Sequence, residues 1–287
     1  GTFANGSQGH LDAAGVTNWF PPDGILSLDA QTVIQNNTTE SYGGAISIEA
    51  SFIHFSDNSA TVYLNNLGEQ FKMGFELNGA SIANNSAKDG GAIHMMRDTD
   101  FYGLESNLNW GDVLDNRANN NGGFMFMTES INSNYAVPTG GLDYVHPVTG
   151  ETHHLIAQEI NTRIGAETAT SNMLNVAKNI ADANGGAVFL QNGNAFIYDN
   201  AIIGGTSANA NHANHGHGGG IYVYGGNIIM NGGNISYNQC VRQNGYGGQG
   251  GGFYVSGGSV EVKGGTIANN VATLNGGGFF VSVADVS

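Results

Sequence analysis

From Gly219 onward, apolar and polar residues alternate in runs of only three or four, and paired glycines separate the runs. Gly219 to Asn238 reads GG-IYVY-GG-NIIM-NGG-NISYN. Gly251 to Asn270 reads GG-FYVS-GG-SVEV-KGG-TIANN and matches it position for position. Alternation with a period of two predicts strands, and glycine pairs supply the positive φ that tight corners need. Strands so short, with no helix between them, predict an all-β chain whose coils stack on one another. The expected fold is a single-stranded right-handed parallel β-helix, a solenoid with three short strands per coil and loop insertions.

The same pattern runs through most of the chain. Seven glycine pairs recur, at Gly43, Gly90, Gly122, Gly185, Gly218, Gly250 and Gly276. Each follows an Asn: Asn37, Asn85, Asn116, Asn179, Asn211, Asn238 and Asn270. Six of the seven fit Asn-x-Ala or Asn-x-Thr, whereas Asn238 is followed by Gln239-Cys240. Aligning the repeats gives two inward columns after the glycines. One is Ile46, Ile93, Met125, Val188, Ile221, Phe253, Phe279; the other is Ile48, Met95, Met127, Leu190, Val223, Val255, Val281. A third column, three residues before each Asn, reads Ile34, Ile82, Val113, Val176, Ala208, Ile235, Ile267. Only Ala208 breaks the bulky apolar rule. Coils stacked about 4.8 Å apart bury these columns jointly, which no coil can do alone. The recurring Asn then reads as a ladder at an inner corner, amide on amide.

Composition narrows the function. Among 287 residues there are 8 Lys and Arg against 23 Asp and Glu, a net charge of -15, so nucleic acid and anionic lipid are poor partners. No apolar run is long enough for direct membrane insertion by a helix. Cys240 is the one cysteine, which excludes an internal disulfide. Gly is abundant at 46, but 40% hydrophobic content in register argues against disorder.

The motifs Gly43-Gly44-Ala45-Ile46, Gly90-Gly91-Ala92-Ile93, Gly185-Gly186-Ala187-Val188 and Phe55-Ser56-Asp57-Asn58 carry a family likeness. They resemble the GGA[ILV] and FxxN repeats of polymorphic outer membrane proteins and related bacterial β-helix adhesins. The resemblance implies a surface-exposed or secreted passenger with an adhesive role. Later coils depart from it with GGG in place of GGA, and Gly122-Gly123-Phe124 departs further. The membrane barrel of full-length members has no counterpart here.

Residues 1–23, with Trp19-Phe20-Pro21-Pro22, fall outside the repeat and read as an N-terminal cap or extension; the β-helix is expected over 24–287. Glycine-pair spacings of 47 and 63 residues place insertions near 49–73 and 128–171, the second holding Pro138, Pro147 and His153-His154. The chain starts without Met and stops in mid-coil, which suggests a processed piece or end-to-end stacking.

Enzymatic chemistry is the alternative, since lyases and hydrolases of the pectin-lyase-like fold act on polysaccharides. Gly216-His217-Gly218 resembles a tripeptide of polygalacturonases, but no Asp-Asp pair accompanies it. A solvent-exposed turn in a Gly- and Asn-rich corner is the better reading. His212, His215 and His217 are spaced as weak candidates for a Zn²⁺ or Cu²⁺ site, with no Cys or carboxylate nearby to complete it. No cofactor is expected, and Ca²⁺ on loop carboxylates has no motif behind it.

The outward column between the two inward ones reads Ser47, His94, Phe126, Phe189, Tyr222, Tyr254, Phe280. Its five aromatic members make a candidate interface or glycan-binding ladder on one face. Taken together, the sequence predicts a non-enzymatic extracellular or cell-surface element. It serves as an adhesin passenger fragment, a filament or a surface-layer subunit, and pairs with itself, laterally or end to end, or with a surface glycan or protein.

Overall fold

The computed structural model describes residues 24–50, 71–97, 102–131, 139–145, 152–242 and 245–282. The expected cap at 1–23, the FxxN motif at Phe55 and most of the insertion at 49–73 lie outside them.

The chain is all-β and solenoid-like, with parallel pairing in every sheet except one antiparallel hairpin. Seven strands following the glycine pairs form one sheet, from Ile46–Ala50 to Phe279–Val281. Its register joins Ile46, Ile93, Met125, Val188, Ile221, Phe253 and Phe279 in one line, and Ile48 to Val281 in the next. Both inward columns read from the sequence are therefore real.

A 12-stranded, strongly curled sheet carries the next two strand positions of each repeat. In the early coils these merge into the 13-residue strands Phe71–Ala83 and Tyr102–Leu114. This sheet contributes the column Leu28, Leu77, Leu108, Ile164, Ile197, Met230, Val262. It also buries two hydroxyls completely, Ser106 and Thr162. Ser106 Oγ accepts the Phe75 N–H at 3.1 Å, so a polar side chain sits in the core with a partner.

A six-stranded sheet of two-residue strands, absent from the three-strand expectation, follows the ladder corner. Ala87, Ala118, Ala181, Ala213 and Cys240 point inward here, all fully buried. This is why Asn-x-Ala recurs, and why Gln239-Cys240 stands in for it: the corner accepts only a small side chain. Burial pushes the Cys240 thiol up to about 11, which keeps it protonated and inert.

The third inward column needs one correction. Val176 pairs with Ile203, and Ile203 with Ile235, so Ile203 occupies the place assigned to Ala208. Ala208 lies exposed in a 3₁₀ turn, Ser207–Asn209, which lengthens that corner and displaces the count from Asn211. The turn also removes a conformational signature. Asn36, Asn84, Asp115, Lys178, Tyr237 and Asn269 precede ladder Asn residues with φ of 55–61°, whereas Ala210 has φ -54°. A left-handed backbone costs L-residues about 1–2 kcal/mol, least for Asn and Asp. Tyr237→Asn should therefore raise stability by about 1 kcal/mol, read as a higher urea midpoint with an unchanged slope.

The 128–171 insertion contains the antiparallel hairpin Leu142–Val145 with Thr152–Leu155. The solenoid resumes before its expected end, because Ile160–Ile164 pairs with the strands at Leu104 and Asn194.

Candidate functional site

Two polar ladders, one on either side of the six-stranded sheet of two-residue strands, precede the glycine-pair sheet. At the first, the N–H and Nδ2 of one Asn both donate to Oδ1 of the Asn in the next coil, at 2.9–3.1 Å. Asn211 keeps only its Nδ2 bond to Asn238, where the 3₁₀ turn intervenes. Each Nδ2 from Asn85 onward also donates back to the third-column carbonyl of the coil before, as Asn116 does to Ile82 and Asn238 to Ile203. All seven predicted Asn residues thus form one continuous ladder.

The second ladder was not read from the sequence. Its members are the residues immediately before the glycine pairs, and its direction is reversed. Asn121 N–H donates to Asp89 Oδ1 at 3.0 Å, Asn184 N–H to Asn121 Oδ1 at 3.3 Å, and His217 N–H to Asn184 Oδ1 at 2.9 Å. The signal was a polar or aromatic residue at that position in all seven repeats, hidden because its identity changes each time.

Between the ladders and the sheet's far edge, the outward column forms one stack of rings. Tyr42 lies on His94 at 4.5 Å, His94 on Phe126 at 5.6 Å and Phe126 on Phe189 at 5.3 Å. Phe189 lies on Tyr222 at 4.9 Å, Tyr222 on Tyr254 at 4.8 Å and Tyr254 on Phe280 at 5.4 Å. Phe126, Phe189, Tyr222 and Tyr254 are only 7–9% exposed. The sequence suggested an open aromatic patch; the structure instead covers each ring with its neighbours, leaving edges outward. Ser256 Oγ donates to Tyr222 Oη at 3.1 Å, and burial raises the Tyr222 phenol above its usual range.

The three candidate metal-binding histidines do not converge. His212 sits in a two-residue strand paired with Ile180 and Gln239, and His215 is exposed on a turn. His217 places its ring 4.4 Å from Tyr254, extending the aromatic stack. Burial lowers the pKa of both His212 and His217. Among the described residues no three His, Cys, Asp or Glu side chains group as a metal site requires. The cations lie apart as well: Arg97 pairs with Glu129, Arg117 with Asp182, Arg163 with Glu167 and Lys263 with Glu261.

At the Tyr42 end of the stack the outer face opens into a groove of about 260 Å³. Tyr42, His94 and Phe126 form its apolar part. Asp89, Asn120 and Asn121 stand on the second-ladder side, and Met96, Thr128, Ser130 and Gln191 come from the opposite edge. Thr128 Oγ1 donates to Gln191 Oε1 at 3.0 Å, and Asn120 Nδ2 to Asp89 Oδ1 at 2.9 Å. His94 is fully buried, its Nδ1 lies 3.3 Å from Ser47 Oγ, and among the described residues its Nε2 has no hydrogen-bond partner.

Desolvation lowers the His94 pKa from 6.5 to about 4. Between those values the unfolded chain takes up a proton that the folded chain refuses. Stability is therefore complete above pH 6.5 and falls as pH drops toward 4, by on the order of 3 kcal/mol. His94→Phe should flatten that part of the profile and prolong the ring stack. Urea unfolding at pH 4.5 and pH 7 checks it: a pH dependence equal to that of the unsubstituted protein would refute the assignment.

Among the described residues no helix is long and apolar enough to cross a membrane. No protein family, curated sequence or solved structure matches the chain.

Proposed function

We propose that this chain is a non-enzymatic structural and adhesive element, a right-handed parallel β-helix of three main strands per coil that works at a cell surface or outside the cell. The observation that carries this reading is how the polar side chains at its corners are spent. Six successive Asn-to-Asn steps, and a second ladder of opposite direction, bind coil to coil rather than reaching toward a substrate. Side chains satisfied in this way stiffen a shaft and are poor acids, bases or nucleophiles. Self-association, lateral or end to end, and attachment to a surface glycan or protein are the partners this role requires.

Electron microscopy of the purified protein, combined with a product assay, tests the proposal. Rods or filaments should be visible, and polygalacturonate, alginate and xylan should yield neither reducing ends nor unsaturated products. Turnover of any of these polymers by the dispersed protein would overturn it in favour of a polysaccharide lyase or hydrolase.

A further inference from the structure

We propose that the groove at the Tyr42 end of the aromatic stack binds a neutral saccharide of one or two rings. The proposal rests on the adhesive reading and names the ligand class that reading leaves open. Its volume, about 260 Å³, lies just below the range of roughly 300–1,000 Å³ for small-molecule sites, which suits a terminal sugar or disaccharide.

The chemistry of the lining selects the class. Amides of Asn120 and Gln191 and hydroxyls of Thr128 and Ser130 offer donors and acceptors side by side. Sugar hydroxyls likewise donate and accept at once, so each can be matched in either sense. Among the described residues no Lys or Arg lines the groove, Asp89 does, and the chain carries a net charge of -15. Uronates, sialates, phosphates and nucleic acids are disfavoured on that ground.

Position in the stack explains why the site lies at this end. Interior rings have both faces closed by neighbours. Tyr42 is the terminal ring: one face rests on His94, and no other ring of the described residues packs on it. It is 38% exposed, against 7–9% for Phe126, Phe189, Tyr222 and Tyr254. An exposed phenol beside hydrogen-bonding walls suits a sugar, which carries both apolar C–H surface and a polar rim. Toward the other end the equivalent space is filled, because the His217 ring lies on Tyr254 and Tyr224 packs on Phe189.

Calorimetric titration with cellobiose, lactose and N,N′-diacetylchitobiose, and with digalacturonate as the anionic probe, tests the site. At least one neutral probe should bind with a Kd tighter than about 10 mM. The pair Tyr42→Ala and Gln191→Ala should weaken that binding at least about tenfold while leaving the unfolding midpoint in place. Ser130→Trp, at an exposed position, should block the groove without touching either ladder. Failure of all three neutral probes, preference for digalacturonate, or binding unaltered in both variants would overturn the proposal. Cleavage of a bound neutral probe would overturn the non-enzymatic reading instead, and would keep the groove as the sugar site.

Discussion

Alanine at Gly186 is expected to prevent folding, or to cost more than about 4 kcal/mol. The two glycines of each pair are required for different reasons. Gly185 has φ +65°, a left-handed conformation that Gly adopts without strain. Gly186 carries no such φ, yet a Cβ there would lie 2.2 Å from the Gly219 carbonyl oxygen and 2.6–2.7 Å from the His212 backbone. Those atoms belong to the next coil, and neither can swing aside as a side chain would. The coils would have to separate locally, which also breaks the Gly186 N–H bond to Gly218 O at 3.0 Å. Gly278→Ala, one position beyond the last pair, where the coil of Gly186 already carries Ala187, is the control. Its Cβ would meet nothing closer than Ile267 Cγ2 at 3.8 Å, so stability should change by less than about 0.5 kcal/mol. Guanidinium unfolding of the two variants tests the argument, and equal effects would refute it.

The second large effect is expected from Asn116→Ala. Asn116 is fully buried, and its amide makes four bonds: Oδ1 accepts from Asn85 N–H and Asn85 Nδ2, and Nδ2 donates to Ile82 O and Asn179 Oδ1. Alanine leaves the Asn85 N–H without its acceptor inside the shaft, together with a cavity. Each buried polar group so stranded costs about 1–3 kcal/mol, and the sum is on the order of 4 kcal/mol. Asn37→Ala offers the contrast. Asn37 lies exposed at the start of the ladder and only donates onward, so about 1 kcal/mol or less is expected. Comparable losses at the two positions would mean that the ladder contributes little and that packing alone holds the coils.

The inward columns were legible because strand alternation has a period of two, and any slip would have turned Ile93 or Val188 toward solvent. Counting back from each Asn failed at one place, Ala208, where the 3₁₀ turn inserts residues without changing composition. The Asn ladder was legible from identity, since one residue type recurs at one position. The second ladder was not, because Asp89, Asn121 and Asn184 give way to His217, and the backbone N–H that donates there leaves no mark in the sequence. The aromatic column was visible as a column, but what covered it was not. Alternation tells which face a side chain takes, whereas its exposure depends on ring-on-ring distances across coils. His94, not counted among the five aromatic members of the column, stacks as one of them. The groove lies where that column meets residues from both flanks, a convergence of three columns that no single repeat displays.

The opposed directions of the two ladders have an electrical consequence. Amide groups aligned along an axis add their dipoles, as they do in an α-helix. The Asn-to-Asn steps from Asn37 to Asn270 all donate toward the later coils, so these steps alone would polarise the shaft along its axis. Over the coils from Asp89 to His217 the other ladder donates toward the earlier coils. Over those coils the two fields oppose each other.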